Sequence, residues 1–559
     1  MGSGPTAWRR LAVGAGRRLA GWVLLALASA WLPAAAHAHS GEATGEVRTV
    51  PLEPAGRVTA STFGISAEPA GSMQVERIGP LEIWRLPGTG IGPFDLAVDG
   101  RTLWLTLFAA EGTGEVGVGR VDLDAGTFSR IRLPEGIIPY TLRLAPDGRL
   151  WVADYEFSAE PRQRHVLRLD PAAGEGVAYP LPGPADGITD FAFTPDGSVW
   201  LADYAAGGLL RLDPSRQAMD RLPTPVPEDG GERTAFTGAF RLAVDPEGHL
   251  WAVESIWDRL TRIHLGQDRD RVGLELLALP QGIDSPVEIV IDGDTVWTTE
   301  HPGSRLLRWR PGDGGSTVIH LWPTTDEGYP VAGPNDLIAG PDGSVWAVVH
   351  FVGRLARVLP GGETVNEFFL PPALGLPATR VLPLWGDVDD QGAVWAAAYG
   401  ADALVRLGPD VPVAQVEIDE TDLEAQAGGA PATVRMRLTF SGTWPEDWRV
   451  LAPALVGEDL PEGVTVEAEP RQITARPGES VDVTLTVTAG REAAAGDYPV
   501  VAGARNTLVA AHRTLTLHVD PARPLTATVA LTLGVTALWA LALVTALTAS
   551  RGDTPRDPE

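Results

Sequence analysis

Seven tryptophans at nearly equal intervals constrain this chain more than any other feature. Trp104, Trp151, Trp200, Trp251, Trp297, Trp346 and Trp395 stand 47, 49, 51, 46, 49 and 49 residues apart. Four of them close the same kind of turn: Pro146-Asp147-Gly148-Arg149-Leu150-Trp151, Pro195-Asp196-Gly197-Ser198-Val199-Trp200, Pro246-Glu247-Gly248-His249-Leu250-Trp251 and Pro341-Asp342-Gly343-Ser344-Val345-Trp346. The other three end degenerate copies. A period of this size, built only of short alternating apolar runs, belongs to propeller blades. The sequence therefore predicts an all-β fold, a seven-bladed β-propeller over residues 80–410.

Each copy divides into four strands. In the third, residues 190–194 form the innermost strand, 198–204 the second, 209–213 the third and 219–222 the outermost. Proline presets the first turn dihedral and glycine takes the positive φ that follows, which makes a hairpin of the first two strands. An arginine recurs in the third strand, at Arg120, Arg168, Arg211, Arg262, Arg308, Arg357 and Arg406. Present in every blade, it reads as structural. The outermost strand usually ends in Leu-Pro, and the copy missing after Arg406 appears before the first blade as Leu81-Glu82-Ile83-Trp84-Arg85-Leu86-Pro87. An N-terminal strand that completes the last blade leaves no sheet edge open there.

The signals at the two chain ends imply that what lies between them is outside the cytoplasm. Arg9, Arg10, Arg17 and Arg18 precede a short apolar run and Ala36-His37-Ala38, the pattern of a signal peptide over residues 1–38 with cleavage before His39. Arg9-Arg10 also fits a twin-arginine signal, loosely. Residues 39–79, rich in Gly, Ala, Ser and Pro without a period, read as a linker. Residues 411–520 alternate in the manner of an immunoglobulin-like β-sandwich. An uncharged run at 525–549 is long enough for one transmembrane helix, assigned to 524–550, which leaves 551–559 as a cytoplasmic tail. The expected localisation is a cell membrane, single-pass, with propeller and sandwich extracytoplasmic and the sandwich as a stalk. Signal and anchor look bacterial.

Composition excludes several chemistries. With no cysteine, disulfides, thiolate catalysis and zinc-thiolate sites are out. A net charge of −28 repels nucleic acid and anionic lipid. No nucleophile elbow, phosphate loop or metalloprotease motif is present.

The repeated Leu-Trp-x-x-Asp/Glu, followed by a short loop and a strand ending Leu-x-Arg-Leu, resembles the blade motif of the streptogramin lyases, the virginiamycin B lyase family. Gluconolactonase-like and NHL-repeat propellers share parts of it. The resemblance covers roughly 80–408 and implies a magnesium-dependent elimination that uses a histidine opening an innermost strand. The matching positions here are Phe94, Tyr140, Thr189, Phe240, Val287, Asn335 and Leu384, and none is a histidine. Aromatic or aliphatic side chains cannot stand in for a proton-transfer base. A lactonase-type metal cage finds only Asn335 in the same ring.

Better furnished positions follow the blade tryptophans. Asp154, Asp203, Glu254 and Glu300 place carboxylates at one level of four consecutive blades, candidate ligands for magnesium, calcium or manganese. Asp95, Asp190, Glu288 and Asp336 lie on the innermost strands. His301 and His350 are the candidate proton carriers. Tyr155, Tyr204, Asn335, Asp336 and Tyr399 are the candidate substrate contacts. The bland reading of the acids is structural, as acceptors for loop amides or partners of arginines. Two functions follow. The first is a membrane-anchored surface module that binds a small-molecule or protein ligand at the propeller mouth, with no nucleic-acid partner. The second is a divalent-metal-dependent lyase of the virginiamycin B type, or a lactonase, whose base is displaced to His301 or His350 and whose metal is held by Glu254 and Glu300.

Overall fold

A computed structural model describes residues 46–108, 116–154, 162–183, 187–225, 238–266, 268–280, 282–312, 315–323, 331–522 and 538–543. The repeat forms seven antiparallel blades, whose innermost strands are Pro93–Asp99, Pro139–Leu144, Ile188–Phe193, Arg241–Val244, Pro286–Asp292, Pro334–Ala339 and Pro383–Val388. Each of these strands packs beside the next and the last returns to the first, closing a ring. The third blade consists of Ile188–Phe193, Val199–Asp203, Gly208–Asp213 and Ala218–Leu222, within two residues of the spans expected from sequence. Gly197 in its first turn has φ 79, the left-handed region in which glycine carries no Cβ penalty.

The recurring arginine lies opposite its tryptophan in every blade, as in the pairs Trp104↔Arg120, Trp151↔Arg168 and Trp395↔Arg406. Its guanidinium sits over the indole at 5.2 Å in blades 4 and 6. The pair buries an apolar face and a cation together, which explains why both recur. Strand Leu81–Arg85 pairs antiparallel with Ala403–Leu407 and so supplies the fourth strand of blade 7.

Residues 48–78, expected as a linker, are instead a belt of five short strands wound around the outside of the ring. Arg48–Pro51 adds to blade 4, Glu53–Arg57 to blade 3, Ser61–Gly64 to blade 2, Ala67–Ser72 to blade 1 and Gln74–Ile78 to blade 7. Apolar side chains anchor the belt at the four junctions between its five blades. Leu52, Val58, Ile65 and Met73 enter successive clusters between blades. Each also donates its N–H to a turn carbonyl of the blade below, that of Asp270, Gln217, Gly174 or Gly126, at 2.8 to 3.0 Å. The segment lacks a sequence period because its strands are held by backbone pairing. Ala67–Ser72 is exposed at every residue.

After the ring the chain builds two further sheets over a common core. One consists of Val413–Ile418, Ala432–Ser441, Ser480–Ala489 and Val464–Glu469. The other contains Val450–Val456, Gly496–Arg505 and Val509–Asp520, and its last strand pairs directly with Thr364–Phe369, the outermost strand of blade 6. The side chain of Asn366 reinforces this junction: its Nδ2 donates to the Ala414 carbonyl at 3.1 Å and its Oδ1 accepts from the Ala414 N–H at 2.8 Å. Among the described residues no helix is long and apolar enough to cross a membrane. Residues 538–543 are helical. The remainder of the apolar run at 524–550, the leader at 1–38 and the tail at 551–559 lie outside the described residues.

Candidate functional site

The innermost strands begin at one mouth of the channel and carry their side chains into it. At that mouth Trp385 from blade 7 fills the centre. Its ring lies 4.6 Å from Phe94 of blade 1 and 5.8 Å from Tyr140 of blade 2, while the Arg241 guanidinium of blade 4 sits over it at 4.9 Å. Tyr399 closes on Phe94 edge-on at 5.9 Å. Phe94, Tyr140, Trp385, Tyr399 and Arg241 are all buried. Of the positions matched to the lyase histidine, Phe94, Tyr140 and Leu384 thus belong to a largely aromatic plug, and the expected ligand-binding mouth is packed at this level.

Below the plug lie five carboxylates and two guanidinium groups, from Asp95, Asp190, Glu288, Asp336, Asp387, Arg143 and Arg241. Arg143 bridges Asp95 and Asp190, each at 3.0 Å, and Arg241 reaches Glu288 at 3.0 Å. Four of the carboxylates also accept a backbone N–H from the neighbouring blade. Asp95 takes that of Leu142 at 3.1 Å, Asp190 that of Leu242 at 3.0 Å, Asp336 that of Gly386 at 2.7 Å and Asp387 that of Val98 at 2.8 Å. These acids are stitches between blades. Burial outweighs Arg241 and pushes the Glu288 carboxyl up to about 7. Burial and the Glu288 charge push Asp336 up as well. Arg143 and Asp387 escaped the sequence reading because they sit two positions further along their strands than the ring of acids.

The four carboxylates expected to share a metal do not converge. Asp154 pairs with Arg162 at 2.6 Å and accepts the Ile138 N–H at 3.0 Å. Asp203 pairs with Arg221 at 2.7 Å and accepts the Gly187 N–H at 3.0 Å. Glu254 pairs with Arg259 at 2.5 Å and accepts the Thr261 hydroxyl proton at 2.7 Å. Glu300 is gripped by Arg305 on both oxygens. A guanidinium from the same blade occupies each carboxylate, so lone pairs that a cation needs are already used. Among the described residues no three His, Asp or Glu side chains come together to hold a metal ion. The residues do not fit the magnesium that the lyase resemblance implies, nor calcium or manganese.

His301 and His350 are neighbours. Both are buried against Phe351, at 5.1 and 4.8 Å between rings. Burial, with the charge of His350 adding to it, pulls His301 down to about 3. Burial pulls His350 down to about 4. Nδ1 of His350 lies 3.1 Å from the Pro383 carbonyl, an acceptor, which fixes the proton on Nδ1. Both imidazoles are neutral near pH 7 and too weakly basic to drive proton abstraction well. Of the candidate substrate contacts, Tyr204 packs on Phe240 at 5.1 Å and Asn335 donates from Nδ2 to the Leu384 carbonyl at 2.9 Å. Asp336 and Tyr399 belong to the stitches and the plug. Tyr155 lies outside the described residues.

No family model matches the chain. A virginiamycin B lyase from Nocardia farcinica is 28% identical over 197 aligned residues, covering 28% of this chain and 68% of the relative. Among solved structures, the virginiamycin B lyase of Staphylococcus aureus is 17% identical, with a TM-score of 0.47 and coverage of 60% of this chain and 99% of that one. A putative 6-phosphogluconolactonase from Bacteroides uniformis is 16% identical, with a TM-score of 0.41 and coverage of 54% and 90%. By its blade motif and by the Nocardia relative, the chain carries a streptogramin-lyase-like β-propeller, similar in sequence to virginiamycin B lyase.

Proposed function

We propose that this chain is an extracytoplasmic β-propeller, tethered to a cell membrane by the apolar run at 524–550, that recognises a ligand or protein partner on its surface. The immunoglobulin-like reading of 411–520 gives it a stalk. One observation carries the preference for recognition over turnover. At the channel mouth, where the resemblance puts a proton-transferring histidine, Trp385 and Arg241 fill the space, and the surrounding carboxylates are each committed to an arginine or an amide. Among the described residues such a centre offers no histidine, and its carboxylates are held by guanidinium groups or amides.

Incubating the purified protein with a streptogramin B antibiotic and magnesium tests this directly. Mass spectrometry is expected to find the peptide ring intact. Ring opening that disappears in His301→Ala or His350→Ala would instead establish the displaced-base lyase. For the tether, the full chain is expected in the membrane fraction and a chain ending at Asp520 in the released fraction. Recovery of both in the same fraction overturns the anchor.

A further inference from the structure

The outer edges of the blades are served unequally. The belt covers blades 4, 3, 2, 1 and 7, and strand Val509–Asp520 covers blade 6. Strand Gly315–His320 of blade 5 pairs with Arg305–Arg310 on its inner side and, among the described residues, with no strand on its outer side. One bond fixes which of its backbone groups face outward. The His320 N–H donates to Oγ1 of Thr514 in the second sheet pair, at 3.0 Å, and so points away from Arg305–Arg310. Backbone groups alternate along a strand with period two. The N–H and C=O of Ser316 and Val318 therefore also point outward.

This edge leads into a cleft of about 250 Å³ between blade 5 and the second sheet pair, lined by Arg305, His320, Glu458, Asp459 and Val500 among others. The positive side of the cleft is spent or discharged. Arg305 grips Glu300 and donates to the Gly282 carbonyl, and burial together with Arg305 and His512 pulls His320 down to about 4, leaving it neutral. Glu458 and Asp459 are exposed, and among the described residues neither has an ion-pair partner. The charge left over in the cleft is negative.

We propose that the outer edge of blade 5 docks an extended segment of a partner protein, which adds as a fifth strand along residues 316–318 and sets a lysine or arginine side chain against Glu458 and Asp459. The ring itself shows that its edges accept such strands: five blades hold belt strands, and the one on blade 1 does so with every residue exposed. Strand addition supplies affinity through main-chain hydrogen bonds and leaves specificity to flanking side chains. The chain's own upstream residues are poorly suited to this edge. The belt anchors Leu52, Val58, Ile65 and Met73 recur every 6 to 8 residues, and the positions at that interval before Leu52 are Thr44, Gly45 and Glu46, none of them apolar.

The proposal rests on the recognition reading above and is tested apart from it. The probes are short peptides of alternating Thr and Val that carry a single Arg, and the same peptides with Glu in its place, titrated onto the full chain in detergent. Binding of the Arg peptides is expected to slow hydrogen exchange at the amides of Ser316 and Val318. Val318→Pro removes one outward N–H at a position where an edge strand tolerates proline, and it is expected to abolish binding with the melt unchanged. The double change Glu458→Gln, Asp459→Asn is expected to weaken the Arg peptides about tenfold and to erase their advantage over the Glu peptides. Three results overturn the proposal: no peptide slows those amides, binding survives Val318→Pro, or the amides are already protected in the free protein because its own chain lies there. Ring opening of a streptogramin would sink the recognition reading whatever the peptides do, whereas loss of peptide binding alone sinks only the blade 5 site.

Discussion

The inside and the rim of this propeller solve the same problem by opposite means. Around the channel, side chains join blade to blade: Asp95, Asp190, Asp336 and Asp387 each reach across to an amide of the next inner strand. Around the rim, the backbone does the joining, through belt strands on five blades and through Val509–Asp520 on a sixth. Side-chain stitches need a polar group, here most often a carboxylate, at a position whose side chain reaches the next inner strand. Backbone pairing asks for little more than an extended chain and an apolar anchor at each junction between blades.

The comparison can be broken at its strongest point by deleting residues 81–87, which hold blade 7 shut from the rim side. The whole domain is expected to lose its cooperative melt, and an unchanged melting curve would show that the ring closes without them. Next in size is the junction with blade 6, where Glu367 accepts from Arg354 at 2.9 Å and lies 2.8 Å from His512 Nε2, all three fully buried. Glu367→Ala strands a buried arginine and is expected to cost about 3–5 kcal/mol in urea unfolding. Burial pushes the Glu367 carboxyl up, but Arg354 and His512 outweigh it and hold it near about 2. Its contribution is therefore complete above the unfolded carboxylate range and is lost as pH falls toward about 2. The Glu367→Gln protein is expected to lose less stability than the native one over that acid range.

A smaller effect is expected from the belt. Met73→Ala removes one anchor and is expected to cost about 2 kcal/mol, with faster proteolysis confined to residues 67–78. Equal loss of protection throughout the ring would mean that the belt and the blades unfold as one unit. The smallest effect belongs to the channel. Glu288 is pushed up to about 7, so its ionisation opposes folding as pH rises from the unfolded carboxylate range through about 7. Glu288→Gln is expected to flatten that decline in melts taken across the same range.

Legibility in the sequence divides along the same line. The ring of blades was readable because Trp151, Arg168 and the Pro146-Asp147-Gly148 turn repeat in register, and each repeats for a local reason of packing or backbone geometry. The strand of residues 81–85 was readable because it kept the blade pattern. The belt was not, since Glu53–Arg57 and Ala67–Ser72 are held by main-chain bonds that leave no mark on composition. The acids after the blade tryptophans were found, but not their partners. Arg162 and Arg221 stand 8 and 18 residues from Asp154 and Asp203, distances that only the fold closes. Trp385 carries no signal of its own in the repeat, since its place at the centre of the channel depends on Phe94, Tyr140 and Arg241 from three other blades meeting there.

The belt also has a bearing on the order of assembly. Arg48 lies beside Leu274, and strands further along the belt lie beside successively earlier blades until Gln74–Ile78 meets the blade finished by Ala403–Leu407. A chain made from its N-terminus would deliver the belt before any surface it can lie on. Contacts of such long sequence separation form late. The outer wrapping is thus a record of completion: it can be fully in place only on a molecule whose last blade has already arrived.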